Sequence, residues 1–190
     1  MVAIESYNNF DIIDSYSERI VDHLITSERA EDLWKLLKYA SPDALKKPRL
    51  TQKEKAELIW NNQETDSSKY NVFMTPMLDD LQYVGNTMLR VYLGDIYPDN
   101  NMGATVDIHF HIISHAKLMQ LSDYKSRTEV ILKLLLQSLN GQRIGGLGRL
   151  FFNRNGSPRN RAQLNLSNNK NYSGYLIVMS LKCGGDDLID

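Results

Sequence analysis

Apolar residues recur at steps of three and four near the start of the chain and at steps of two past its middle. In SYSERIVDHLI, Ile20, Val21, Leu24 and Ile25 fall on one helical stripe, and Ala30, Leu33, Trp34, Leu37 and Ala40 repeat the pattern. Ser41-Pro42 ends this second helix, because the residue before a proline avoids the α region. Thr51 and Glu54 stand at capping-box spacing, which predicts a short helix from Thr51. Residues 61–71 are polar and read as an exposed loop, and VFMTPML and MLRVYLGDIYP read as short strands or extended arms. After turn-forming residues from Tyr97 to Gly103, ATVDIHFHII alternates cleanly. Val106, Ile108, Phe110 and Ile112 take one face and Asp107, His109 and His111 the other, as in a half-buried strand.

A longer helix follows. Ser126 and Glu129 repeat the capping-box spacing, and Val130, Ile131, Leu134, Leu135, Ser138 and Leu139 form its apolar face. Asn140-Gly141 supplies a left-handed stop. GQRIGGLGRLFF reads as a glycine-rich turn entering a strand at Leu150, Phe151 and Phe152, and residues 153–161 as the basic tip of a hairpin. Gln163 to Leu166 and Tyr172 to Lys182 complete a sheet. The order predicts an α+β fold, with an antiparallel or mixed sheet of about four strands and helices on one face. One domain spans 1–190, with an N-terminal arm and helix over 1–27 and an extended insertion or arm over 61–103.

At 190 residues, 42% hydrophobic and 24% charged, the composition excludes a mostly disordered, collagen-like or coiled-coil chain. No run of 18 apolar residues occurs, so no membrane-spanning helix is expected. The first residues lack the basic and apolar regions of a secretory signal. The single cysteine, Cys183, cannot form an internal disulfide, which favours a reducing compartment or indifference to redox. Net charge is −1, but its distribution is uneven. Between Glu129 and Asp186 there is no acidic residue, while Lys133, Arg143, Arg149, Arg154, Arg159, Arg161, Lys170 and Lys182 give +8, leaving −9 for the rest. Such a split suits a molecule with a basic and an acidic side, able to attract a copy of itself or a nucleic acid.

The sharpest chemical candidate is Asp107-x-His109-x-His111, which could hold Zn²⁺ from one strand face with His115 as a further ligand. Solvated or subunit-facing polar residues explain the same pattern more simply, so no metal, cofactor or catalytic residue is assigned. Gly145, Gly146 and Gly148 follow a helix instead of opening one, so they suit a tight turn better than a phosphate cradle. Cys183 reads as a buried or edge thiol. Trp34 and Trp60 sit on helical stripes and read as core. Arg143, Arg149, Arg154, Arg159 and Arg161 remain as candidates for a subunit interface or a DNA channel.

The run LWKLLKYASPDALKKPRLTQKEKAELIW resembles the N-terminal helical part of neck proteins from tailed bacteriophages. VDIHFHIISHAKLM, SRTEVILKLLLQSLNGQRIGGLGRLFF and NYSGYLIVMSLKC are similar to the rest of that domain, as seen in tail-terminator-like and head–tail joining proteins. The resemblance covers residues 30–60 and 104–183; residues 61–103 are longer than the family's usual link, and Arg154 to Arg161 form a larger basic tip. It implies a non-enzymatic virion subunit of a cyclic ring of roughly six or twelve copies. Such a ring lies in the phage neck between portal and tail, is assembled in the host cytoplasm, and touches passing DNA weakly. Its partners would be copies of itself and adjacent portal, neck or tail proteins, with no membrane involved. A nucleic-acid-binding accessory protein using the arginine-rich tip is the second expectation, and a small metal-dependent enzyme the third.

Overall fold

The alternating segment builds the middle of the sheet. In the computed structural model, which describes residues 9–61, 67–76, 85–99, 103–152, 160–166 and 171–184, it forms strand β3 (Gly103–His115). Strands β2 (Thr87–Pro98) and β7 (Tyr172–Gly184) pair antiparallel on either side of it. Leu89 and Val91 stand opposite Ile112 and Phe110, and Ile177, Met179 and Leu181 stand opposite Phe110, Ile108 and Val106. Directly opposed residues share a face, so these side chains form one apolar wall, and all are buried.

Two further strands extend the sheet. β6 (Arg161–Leu166) pairs antiparallel with the far side of β7, and β1 (Val72–Phe73) pairs parallel with the far side of β2. The result is a five-stranded mixed sheet, one strand more than expected, in an α+β fold. Within the segment 61–103, MLRVYLGDIYP reads as a short strand or an extended arm. Residues 87–98 form an inner strand, because Leu89 and Val91 complete the apolar wall. Tyr70 and Asn71, read as exposed loop, are buried. Asn71 donates to the Thr87 carbonyl at 2.8 Å, and Tyr70 joins Phe73, Met88 and Tyr172 in a small cluster separate from the main core. Trp60 packs on Phe73 in that cluster; it follows the third helix and lies on no helical stripe.

Helices α1 (Tyr16–Thr26), α2 (Glu31–Lys38) and α4 (Arg127–Leu139) cover the apolar wall. Their buried stripes are Tyr16, Ile20, Val21 and Leu24; Leu33, Trp34, Leu36 and Leu37; and Ile131, Leu135, Ser138 and Leu139. Trp34 donates its indole N–H to the Leu24 carbonyl at 2.8 Å, which satisfies its one polar group in the core. The short α3 (Gln52–Ala56) opens with the expected capping box between Thr51 and Glu54. At α4 the second expected box does not form, because the Ser126 hydroxyl pairs with the Thr128 hydroxyl at 3.1 Å and leaves the helix N–H groups. Its C-terminus stops as expected: Asn140 is extended and Gly141 takes φ +73°.

Arg127, the first residue of α4, is fully buried and has no carboxylate partner among the described residues. Its guanidinium donates to four main-chain carbonyls: Leu118 at 2.8 Å, Leu36 at 2.7 Å, Tyr39 at 3.0 Å and Ser41 at 2.6 Å. A cation at its own helix N-terminus is unfavourable, but this one sits at the C-terminal end of α2, where the dipole favours it. A second buried cation, Lys55, pairs with Glu31 at 2.8 Å and donates to the Ile25 carbonyl, fastening α3 to the start of α2 and the end of α1.

Candidate functional site

Immediately after α4 the chain makes a small hairpin from β4 (Arg143–Ile144) and β5 (Gly148–Arg149). Gly146 and Gly148 have φ of +79° and +89°, so the glycines make the tight turn their order suggested. Ile144, Leu147 and Leu150 are buried in the main core and hold the hairpin down. Arg143 and Arg149 are directly opposite each other across the two strands, and both are exposed. Arg149 donates to the Gly141 carbonyl at 3.2 Å. A third guanidinium comes from α1: Arg19 donates to Ser15 Oγ at 2.9 Å and to the Gly145 carbonyl at 3.0 Å. Like charges directly opposite each other on a ladder repel and are destabilising. An anionic surface laid on this hairpin relieves that repulsion.

Beyond the hairpin, Leu150, Phe151 and Phe152 do not form the expected strand. Only Phe151 pairs, with Ser180 of β7, because Leu150 turns into the core. Arg161 opens β6 and is exposed, opposite Val178. Gly148 packs near the Lys182 carbonyl, four residues along β7 from Val178, which places Arg161 about 13 Å from the hairpin along that strand. Arg143 and Arg149 are therefore brought together, and Arg161 lies along the same strand edge. Arg154 and Arg159, with most of the 153–161 tip, lie outside the described residues. Arg19 was missed in the sequence, where nothing marks a helical arginine as the neighbour of a hairpin 126 residues away.

The sheet face opposite the helices carries Asp107, His109 and His111, as the alternation predicts, but packing accounts for the imidazoles. The His109 ring lies over Gly94, where a Cβ would meet its Nε2 at 2.5 Å, and meets Tyr92 edge-on at 5.3 Å. His111 stands opposite Arg90. Burial, the Arg90 charge and His109 push its pKa down to about 4, so it is neutral at pH 7. His115 meets Tyr172 edge-on at 5.1 Å and accepts the Lys117 amide on Nδ1. Among the described residues, no three His, Cys, Asp or Glu side chains gather at metal-binding range. The Cys183 thiol is buried and accepts the Tyr16 hydroxyl at 3.0 Å; burial raises its pKa, which suits a packed thiol and not a nucleophile. No described helix is long and apolar enough to cross a membrane.

A family model described as YomW matches residues 30–181. The chain belongs to the YomW family. The family is of a Bacillus phage and prophage type, which points to a phage-associated protein. Its match runs from the residue before α2 into β7, so it takes in the sheet, the buried Arg127 and the arginine hairpin, and leaves α1 outside. No curated protein and no solved structure matches the chain.

Proposed function

We propose that this YomW-family chain is a structural, non-enzymatic subunit of the phage particle, forming a ring in the neck between head and tail through which DNA passes. The observation that carries the reading is the exposed, directly opposed pair Arg143 and Arg149. It sits in a stretch with no acidic residue between Glu129 and Asp186, while the remainder of the chain is acidic. A head-to-tail ring needs two different, complementary surfaces on each subunit, and this charge division supplies them. The phage association of the family and the resemblance to neck proteins point the same way. A second reading is favoured by Arg161, which stands in register with His109 and Tyr92 across the sheet face opposite the helices: a nucleic-acid-binding accessory protein.

Changing Arg154, Arg159 and Arg161 together to Ser tests both readings. Arg161 is exposed and Arg154 and Arg159 fall in a polar, turn-rich stretch of the sequence; surface charges contribute about 0–1 kcal/mol per pair, so the subunit should stay folded. In a neck ring whose basic tip docks on a neighbour, the variant phage should accumulate full heads and free tails. If the tip lines the channel, particles should form but retain or eject DNA abnormally. Normal particles together with lost DNA binding by the purified protein would instead favour the accessory-protein reading.

A further inference from the structure

Strand β1 is only two residues long and covers β2 at Leu89 and Arg90 alone. The chain turns away at residues 74–76, so no strand among the described residues covers the edge of β2 at Tyr92 and Leu93. Facing that edge are the turn over Asn9–Ser15 and the first turn of α1. Between them lies an open groove of about 460 Å³. Ile13, Met74 and Leu93 give it apolar walls, Tyr92 adds a ring, and Asp14 and Glu18 bring two carboxylates.

Among the described residues, the groove's negative charge has no counterpart. Asp14 and Glu18 are four residues apart, a spacing at which like charges repel, and no lysine or arginine among the described residues lines the groove. Neither carboxylate has an ion pair among the described residues. The nearby cation on α1, Arg19, is turned to the other side, where Ser15 and Gly145 take its donors. Apolar walls with an aromatic ring and two carboxylates suit a long cationic side chain: the stem covers the walls, the guanidinium meets the ring and the acids. A nucleic acid is excluded from this groove by the same two carboxylates.

We propose that the groove is the acceptor half of a head-to-tail contact between copies of this chain, and that it receives Arg143 and Arg149 from the hairpin of the next copy. The proposal rests on the ring reading and names its interface. Donor and acceptor are different surfaces, on either side of α1, so the contact is heterologous and propagates from copy to copy. It relieves two repulsions at once, between the opposed arginines and between the two acids. Charge complementarity selects a second copy as the occupant, since the hairpin lies in the acid-free stretch and the groove in the acidic remainder.

The test uses the full chain in two forms. Asp14→Arg with Glu18→Arg makes the groove basic, and Arg143→Glu with Arg149→Glu makes the hairpin acidic. All four positions are exposed, so circular dichroism and melting should match the wild type. By sedimentation velocity and native mass spectrometry at low salt, the wild type should self-associate, and less so as salt is raised. Each variant alone places like charges against each other and should associate at least about a hundredfold more weakly. An equimolar mixture should recover association, because the two forms alternate with every contact complementary. A wild type that stays monomeric up to about 1 mM, variants that associate like the wild type, or a mixture that fails to recover would each overturn the proposal. Electron microscopy of the recovered mixture separates this from the ring reading. Open or irregular chains would sink the ring and keep the contact, whereas closed rings indifferent to all four substitutions would keep the ring and sink the contact.

Discussion

Replacing Arg127 by Met removes the tie between the end of α2 and the start of α4 while keeping most of the buried volume. Four carbonyls lose their donor: Leu36, Tyr39 and Ser41 around the α2 C-terminus, and Leu118 before α4. A hydrogen bond from a charged donor contributes roughly 1.5–3 kcal/mol, so four bonds amount to about 6–12 kcal/mol before offsets. Against this stands the cost of holding a guanidinium out of water, several kcal/mol, which Met does not incur. The difference is a loss of about 3–5 kcal/mol. For a chain of this size each kcal/mol moves Tm by roughly 2–4 °C, so Tm should fall by about 6–20 °C. Urea unfolding at neutral pH measures it, with an unchanged slope showing that the unfolded state is the same. Arg127→Lys should fall between, since one ammonium cannot reach carbonyls spread over two segments. A loss below about 1 kcal/mol for Arg127→Met would refute the reasoning, because the carbonyls would then find water or other donors at no cost.

Three further outcomes can be checked by the same unfolding measurements. Leu135 is fully buried between α4 and the sheet, so Leu135→Ala should cost about 2–5 kcal/mol; an unchanged Tm would mean that α4 is turned the other way. A Cβ on Gly174 would collide with the main-chain carbonyl of Ile112 on the neighbouring strand, so Gly174→Ala should destabilise the protein by more than about 1 kcal/mol, and neutrality would contradict the close pairing of β3 and β7. His111 is neutral when folded, with a pKa near 4 against 6.5 when exposed, so the unfolded chain binds the extra proton between those values. Stability should therefore fall as pH drops from about 6.5 to about 4, by on the order of 1–3 kcal/mol, and His111→Gln should flatten that slope. An identical pH profile in the variant would assign the acid sensitivity elsewhere.

Local pattern was enough for the elements themselves. The stripes of α1, α2 and α4, the capping box at Thr51, the stop at Gly141 and the alternation of β3 are each written within a dozen residues, because they follow from helical and strand periods and from side chains that reach only their near neighbours. The arginines of the hairpin were likewise visible as an acid-free run, and opposed Arg143 and Arg149 are close in sequence. What the chain could not show locally depends on which distant segments meet. A two-residue β1 was legible only as a short extended piece, yet by stopping after Phe73 it leaves the edge of β2 uncovered by any described strand, beside Asp14 and Glu18. Arg127 reads from sequence as one more charged residue opening a helix. Only the packing of α4 against the end of α2, some 90 residues earlier, gives it four carbonyls and takes it out of water. His109 and His111 read as ligands or solvated side chains until β2 placed Gly94, Tyr92 and Arg90 against them. Periodicity fixes which face a residue takes, because it is a property of one segment's backbone; what that face meets is set by the burial of the whole chain.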